Sequence, residues 1–183
     1  MANLYFVRHG EASSSWETSS DPGLSDLGWR QAEEVANEID LQIKPVAIYS
    51  SPLLRAKHTA SPLEKKWNRQ ADIIPAISEI PSGNISMDER RNWLNQLMTG
   101  QWKEQPDHLM SWRSGILDVL NSQTEDAVFF THFMVLNVIV GAISGASGIV
   151  SFRPDNCAVT KVDVTNGIAR LVNKGDEAHT IVS

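Results

Sequence analysis

The segment Leu4–Val7 (LYFV) runs directly into Arg8, His9 and Gly10. Its four residues are apolar and include a β-branched valine, a composition typical of a short buried strand. Arg8 and His9 directly follow this strand, so a cation and an imidazole are expected at one edge of a sheet. The same arrangement, an apolar run followed by polar side chains, recurs along the chain.

Apolar runs alternate with amphipathic segments. Three further runs predict short strands, at Val46–Tyr49, Asp72–Ile74 and Ala127–Phe130. Helical periodicity predicts helices that start at Ser25, at Ser51-Pro52, near Asp88, near Pro106 and shortly before Val135. Strand and helix therefore alternate over most of the chain, which favours parallel strands joined by crossover helices.

The last part of the chain has a different pattern. Cys157–Val164 and Ile168–Val172 predict a hairpin around the turn dipeptide Asn166-Gly167. The whole order predicts an α/β fold, a three-layer sandwich with a mostly parallel central sheet and helices on both faces. No repeat or linker divides the chain, so residues 1–183 are expected to form one domain.

Ligands of such sheets bind beyond the carboxyl ends of the strands. In this chain polar residues follow four predicted strands, namely Arg8 and His9, then Ser50 and Arg55, then Glu79, then Thr131 and His132. We expect two arginines, two histidines and a glutamate to meet at one edge of the sheet.

Composition narrows the classes of function. The chain has 183 residues, a formal net charge of -6 and one cysteine, Cys157. The acidic balance disfavours nucleic-acid binding through a basic face, and a lone cysteine excludes an intrachain disulfide. No apolar run reaches the roughly 18 residues of a membrane span, and no signal peptide is expected. We expect cytoplasmic residence without nucleic-acid or membrane partners, and a homo-oligomer is compatible with the sequence.

The expected cluster has the chemistry of phosphoryl transfer. Two guanidinium groups at one place need an anion between them, and the arginine fork matches phosphate oxygens. A neutral imidazole beside them can attack phosphorus, because the positive charges lower its pKa. A second histidine, when protonated, adds a donor, and a carboxylic acid can protonate the leaving alkoxide. The arginines then carry the charge stabilisation, so no metal and no cofactor are expected.

Four motifs stand in order along the chain. They are Arg8-His9-Gly10-Glu11, Leu24–Gly28 (LSDLG) with Gln31-Ala32, Ser51–Ala56 (SPLLRA) with Thr59-Ala60, and Thr131-His132. Together they resemble the histidine phosphatase superfamily, in its phosphoglycerate-mutase-like branch. The resemblance spans the whole chain.

The resemblance implies a role for each matching residue. His9 would be the phosphorylated nucleophile, and Glu79 would be the general acid and base, with Asp88 and Glu89 as substitutes. The phosphate would be bound by Arg8, Ser15, Arg55 and His132, and His132 would also take part in catalysis. Glu11 is expected to orient its neighbours. The implied ligand is a small phosphorylated substrate or a phosphate ion.

Some features depart from the family pattern. Phe133 follows the second histidine where many relatives have glycine, and the segment after Glu79 lacks the Gly-x-x-x-Glu-Gly pattern of close phosphoglycerate mutases. The chain is also short for a mutase, which needs an enclosed site. Metal-independent phosphomonoester hydrolysis through phosphohistidine is therefore the leading hypothesis. A mutase and a non-catalytic phospho-ligand or protein-binding module are the alternatives.

Tryptophans are frequent in the segment before the fourth predicted strand. Trp93, Trp102 and Trp112 are expected to pack in the core, although one of them could line an apolar substrate pocket. Trp16, next to Ser15, is expected near the rim of the pocket.

Overall fold

A computed structural model describes residues 1–14 and 21–178. Within them, six strands form one sheet: β1 (Ala2–Arg8), β2 (Ala47–Ser50), β3 (Asp72–Ile73), β4 (Ala127–Thr131), β5 (Val159–Thr165) and β6 (Ile168–Asn173). Their order across the sheet is β3-β2-β4-β1-β5-β6. Strands β1 to β4 are parallel, whereas β5 runs antiparallel to both β1 and β6. The predicted mostly parallel sheet is confirmed.

Five α-helices connect and cover the described strands: α1 (Asp26–Gln42), α2 (Leu54–Trp67), α3 (Met87–Met98), α4 (Asp107–Asn121) and α5 (Phe133–Ser144). Short 3₁₀ helices lie at Pro75–Ile77 and Trp102–Glu104. The hydroxyl of Ser25 caps α1 by accepting a hydrogen bond from the backbone of Gly28. Gly145, with φ 68°, ends α5 in the left-handed conformation that favours glycine.

The helices cover both faces of the sheet because alternate strand residues point in opposite directions. In β1, Leu4 and Phe6 belong to the larger core, which α4 and α5 complete together with part of α3. Tyr5 and Val7 belong to the core on the opposite face, which α1 and α2 cover. These three layers are the predicted sandwich. The tryptophans follow the packing expectation: Trp102 is buried in the larger core, and Trp93 and Trp112 pack against it.

The start of α2 differs from the prediction. Ser51-Pro52 was the expected start, but α2 begins at Leu54. The backbone N–H of Ser51 donates to the carbonyl of Phe130 over 3.0 Å, so Ser51 still pairs with β4. A residue held in this way stays extended, and the chain enters the helix only after it.

Cys157 also lies outside its predicted element. The terminal hairpin forms around Asn166-Gly167, but β5 begins at Val159. Cys157 has a φ of 58°, which interrupts the extended strand. No helix within residues 1–14 and 21–178 combines the length and apolar character needed to cross a membrane.

Candidate active site

Hydrogen bonds at the carboxyl ends of three parallel strands bring the candidate residues together. Arg8 is the last residue of β1, and the backbone N–H of His9 donates to the carbonyl of Thr131 over 3.0 Å. His132 follows Thr131 and directly precedes α5. Ser51 continues the edge of β2 beside them. The strand-end rule therefore places both histidines and Arg8 on the same edge of the sheet.

The ring of His9 is held in one neutral tautomer. Its Nδ1 lies 2.8 Å from the carbonyl oxygen of Gly10, which can only accept, so Nδ1 carries the proton. The Nε–H of Arg55 donates to Nε2 of His9 over 3.2 Å, so Nε2 presents its lone pair. Burial, followed by the charges of Arg8 and Arg55, lowers the pKa of His9 well below its ordinary value. His9 is therefore a neutral imidazole with an unprotonated Nε2.

Arg55 lies in the first turn of α2 and is almost fully buried, with 3% exposure. A cation in the first turn opposes the helix dipole, so a nearby negative charge would stabilise it. Burial lowers the pKa of Arg55, and the carboxyl of Glu79 opposes that effect. Arginine nonetheless keeps its charge in proteins.

Arg8 is fixed on two sides. Its Nη1 donates to the carbonyl of Pro154 over 2.8 Å, and its guanidinium carbon lies 5.4 Å from the centre of the Phe133 ring. A cation at this distance from a ring is attracted by the electron-rich face. Phe133 therefore contacts Arg8, one of the arginines expected to bind phosphate, directly.

His132 is fully buried and packs against His9, with 5.2 Å between the two ring centres. Its Nε2 lies 2.7 Å from the hydroxyl of Ser51. Burial, followed by the proximity of His9, Arg55 and Arg8, lowers the pKa of His132 well below its ordinary value. Burial among cations thus favours the neutral ring, whereas the donor considered from the sequence was conditional on a protonated one.

Three buried nitrogen atoms of this cluster have no hydrogen-bond partner within the described ranges. They are Nε of Arg8, Nη1 of Arg55 and Nδ1 of His132. Buried polar groups are nearly always paired, and leaving one unpaired costs about 1–3 kcal/mol. An oxyanion bound beside His9 would supply acceptors for such donors.

Glu79 lies beside the same cluster. Its Oε1 accepts hydrogen bonds from the backbone N–H groups of Ile80, at 3.0 Å, and Met134, at 3.2 Å. Burial raises the pKa of Glu79, while those hydrogen bonds and the two arginines oppose the shift. Burial thus favours the protonated form of this carboxyl more than it is favoured in an exposed glutamate.

The substitute carboxylates lie elsewhere. Asp88 and Glu89 are exposed in the first turn of α3, and Glu89 accepts a hydrogen bond from the hydroxyl of Ser86 over 2.7 Å. Neither lines the cavity at the cluster. Among the candidate carboxyl groups, the geometry favours Glu79.

Glu11 connects the cluster to α1. Its carboxylate accepts a hydrogen bond from the hydroxyl of Ser25, over 2.7 Å, and its backbone N–H donates to Gln31 over 2.8 Å. This position agrees with the expected orienting role. Ser15 and Trp16 lie outside the described residues.

Three supporting side chains were not identified from the sequence as site residues. The amide of Asn156 donates to the carbonyl of His9 over 3.0 Å. Thr59 accepts from the backbone of Gly10, over 3.0 Å, and donates to the carbonyl of Arg55 over 2.7 Å. Ser51 is the partner of His132. Thr59 and Ser51 stand within the quoted motifs, whereas no local pattern indicates Asn156.

The cluster opens onto a cavity of about 480 Å³. Arg8, His9, Arg55, Glu79 and Asn156 line its polar side. His132 is not among the residues that line it but packs against His9, which does line it. Among the described residues, no group of three or more histidine, cysteine or acidic side chains is placed to hold a metal ion. Independence from metal stays a prediction.

A family model described as the histidine phosphatase superfamily (branch 1) matches residues 4–177. The chain belongs to the histidine phosphatase superfamily. The resemblance inferred from the four motifs is confirmed over nearly the whole chain.

One relative of this histidine phosphatase is the metal-independent phosphoserine phosphatase of Arabidopsis thaliana. The two are 29% identical over 110 residues, which is 57% of this chain and 41% of the plant protein. This chain covers only 14% and 41% of the lengths of two curated relatives that it matches.

Solved structures share the fold of this histidine phosphatase. YhfR of Bacillus stearothermophilus superposes with a TM-score of 0.80 at 20% identity, covering 98% of this chain and 99% of that chain. A phosphoserine phosphatase of Entamoeba histolytica, in complex with 3-phosphoglyceric acid, gives a TM-score of 0.71 at 22% identity, with 98% and 99% coverage. At these identities the likeness shows the fold alone.

Proposed function

We propose that this histidine phosphatase hydrolyses phosphomonoesters of small metabolites through a phosphohistidine on His9, without a metal ion. One observation carries the proposal: His9, with an unprotonated Nε2, belongs to a cluster in which Arg8, Arg55 and His132 each keep one buried nitrogen without a partner among the described residues. A nucleophile next to unsatisfied cationic donors is suited to attack a bound dianionic phosphate.

In the first step, the Nε2 lone pair of His9 forms a bond to phosphorus as the P–O bond to the alcohol breaks. Glu79 donates its proton to the departing alkoxide oxygen and becomes a carboxylate. The Nδ1–H bond to the carbonyl of Gly10 supports the positive charge that develops on the ring. Arg8 and Arg55 stabilise the charge on the phosphoryl oxygens throughout.

In the second step, water attacks phosphorus and gives a proton to the Glu79 carboxylate. The P–N bond breaks, its electron pair returns to Nε2 of His9, and inorganic phosphate leaves. Neutral His9 and protonated Glu79 are restored. Only water and the ester are consumed, so the cycle balances without a cofactor.

His132 contributes a hydrogen bond in this proposal. Its Nε2 can accept the hydroxyl proton of Ser51, which leaves the proton on Nδ1 as a donor to a phosphoryl oxygen. The hydroxyl of Ser51 also accepts a hydrogen bond from the backbone of Leu53 over 3.2 Å. The neutral state of His132 is compatible with this role.

One comparison supports hydrolysis over mutase activity. The Arabidopsis relative is named a metal-independent phosphoserine phosphatase, and its name favours a phosphatase here. The particular ester, the cytoplasmic location and the absence of nucleic-acid partners stay predictions.

The decisive experiment traps the phosphoenzyme. The purified chain with EDTA is mixed with a generic aryl phosphate, quenched in alkali to preserve phosphohistidine, and analysed by peptide mass spectrometry. We expect phosphate on His9 and loss of turnover in His9→Ala. The exposed His108 supplies the matched control, since His108→Ala should keep full activity.

Other outcomes would identify the alternatives. Near-normal turnover by His9→Ala would overturn the proposal. Formation of the isomeric phosphoglycerate from 3-phosphoglycerate, without free phosphate, would establish a mutase. Tight phosphate binding without any trapped phosphoenzyme would support the non-catalytic module.

A further inference from the structure

One side of the cavity is apolar, unlike the polar side that contains His9. Three half-buried apolar side chains, Leu94 and Met98 on α3 and Phe133 at the start of α5, line it and are called here the apolar wall. All three pack against the larger core with one side. Each of them thus connects the larger core to the cavity.

The apolar wall is one continuous feature. Leu94 and Met98 are four residues apart on α3, so they lie on the same helix face. Ile80 and Met134 also line the cavity and are buried to 2% exposure in the core behind it. The guanidinium of Arg8 holds the Phe133 ring, which joins the apolar wall to the phosphate site.

We propose that the apolar wall selects phosphomonoesters whose alcohol part is apolar and longer than three carbons. This inference rests on the proposed function and adds the class of substrate. An ester bound with phosphorus at His9 would extend its alcohol part into the cavity. The volume of this cavity is in the range that small ligands occupy in proteins. An apolar alkyl group of the substrate then removes the surface of the apolar wall from water, and each buried CH₂ strengthens binding.

A small polar alcohol part gains much less at this place. The hydroxyl or carboxylate of a glycerol or serine ester must leave water, and an unmatched polar group loses free energy on burial. Outside the His9 cluster, the polar residues that line the cavity are Glu11, Ser14, Arg91 and Asn95; all but Ser14 are exposed, so these three lie at its rim. The apolar wall itself offers no side-chain hydrogen bond.

The test is a homologous series of alkyl phosphates: ethyl, butyl and hexyl phosphate. Their leaving groups have similar basicity, so differences in kcat/KM report binding of the chain and not ease of bond cleavage. We expect kcat/KM to rise about 10-fold to 10²-fold from ethyl to hexyl phosphate, because each buried CH₂ contributes up to about fourfold. Glycerol 3-phosphate and phosphoserine should rank below butyl phosphate.

Variants at the apolar wall show whether it causes the preference. Leu94→Gln should reduce the ratio of kcat/KM for hexyl phosphate to kcat/KM for ethyl phosphate to near one. Leu94→Met, which keeps an apolar side chain, should retain most of the ratio of the unmodified chain. Leu41→Gln is the matched control, since Leu41 is 87% exposed on α1 away from the cavity, and its ratio should equal that of the unmodified chain. Urea unfolding of each variant verifies that it folds.

The outcomes separate this inference from the proposed function. Hydrolysis of all esters through phosphorylated His9, with no rise along the alkyl series, would overturn the substrate class alone. A preference for phosphoserine or glycerol 3-phosphate over hexyl phosphate would do the same, as would a ratio unchanged in Leu94→Gln. Absence of turnover and of phosphoenzyme with every ester would overturn both proposals.

Discussion

The Nε–H of Arg55 donates to Nε2 of His9 over 3.2 Å, joining two residues that are 46 positions apart in the chain. In this contact the lone pair of Nε2 accepts a hydrogen bond from a cation. Protonation of Nε2 would remove that lone pair and the hydrogen bond with it. It also places a buried positive charge in the first turn of α2, where the helix dipole opposes it. A dianionic phosphate bound beside the two side chains would make both features favourable.

Replacing Arg55 should therefore affect both the rate and its pH dependence. We expect Arg55→Gln to lower kcat/KM by about 10²–10³-fold, as loss of an oxyanion donor does. Because the charge of Arg55 helps to lower the pKa of His9, that pKa rises in the variant. His9 must be unprotonated to react, so the acid limb of kcat/KM should move to higher pH. Lys57→Gln, an exposed charge loss on the same helix, should leave the limb in place.

The basic limb should report Glu79. Burial raises its pKa, so Glu79 remains protonated to higher pH than an exposed glutamate, and kcat/KM falls as pH rises through that pKa. Glu79→Gln keeps the acceptor for the backbone of Ile80 and Met134 but holds no transferable proton. We expect the basic limb to vanish and hydrolysis of ethyl phosphate to slow by about 10²–10⁴-fold.

A good leaving group provides the internal comparison for Glu79. An aryl phosphate needs less protonation of its oxygen, so phosphoenzyme formation from it should slow much less in Glu79→Gln. Equal losses for ethyl and aryl phosphate, measured by rapid quench, would contradict the role as general acid. Glu89→Gln, at an exposed position of α3, should behave like the unmodified chain.

The main elements of the fold were predictable because they depend on local patterns. Buried parallel strands are short apolar runs, and crossover helices show helical periodicity, so β1 and α1 are evident in the sequence. The start of α2 was placed at Ser51-Pro52, three residues early. Proline favours a helix start, but pairing of Ser51 with Phe130 is a tertiary contact that no local pattern contains.

The site, too, was predictable where it depends on local sequence patterns and not where it depends on tertiary contacts. Arg8, His9, Arg55 and Glu79 were expected together because strand ends meet at one sheet edge, and they do line one cavity. Asn156 was not expected, because it reaches His9 from 147 residues away in sequence. The neutral state of His132 depends on its complete burial among cations, which only packing reveals.

The hydroxyl of Ser51 should matter through His132. Ser51→Ala removes the partner of a buried ring nitrogen, so we expect the free energy of unfolding to fall by about 1–3 kcal/mol. The His132 ring also loses its fixed orientation, and a misplaced donor should lower kcat/KM by about 10-fold to 10²-fold. Ser61→Ala, which removes a hydroxyl that donates to the carbonyl of His58, is the control. Unchanged phosphate affinity and rate in Ser51→Ala would contradict this role.

Helix α1 lies so close to the backbone that follows His9 that no side chain should be tolerated at Gly28. A Cβ there would collide with the backbone of Glu11, and one at Gly10 would lie 2.7 Å from the carbonyl oxygen of Gly28. Because Gly10 holds the proton-bearing nitrogen of His9, a shift of this backbone reaches the nucleophile directly. We expect Gly28→Ala to lower the free energy of unfolding by about 1–3 kcal/mol and to slow phosphoenzyme formation.

Gly115→Ala is the contrasting change. Gly115 lies within α4, and the nearest atom to a Cβ built there is the Cβ of Ala76, at 3.9 Å. The substitution should stabilise the chain by about 0.5–1 kcal/mol with unchanged activity, because alanine is the better helix former. Urea unfolding and rapid-quench kinetics on the two variants measure both effects, and a fully active, stable Gly28→Ala chain would show that the close approach is dispensable.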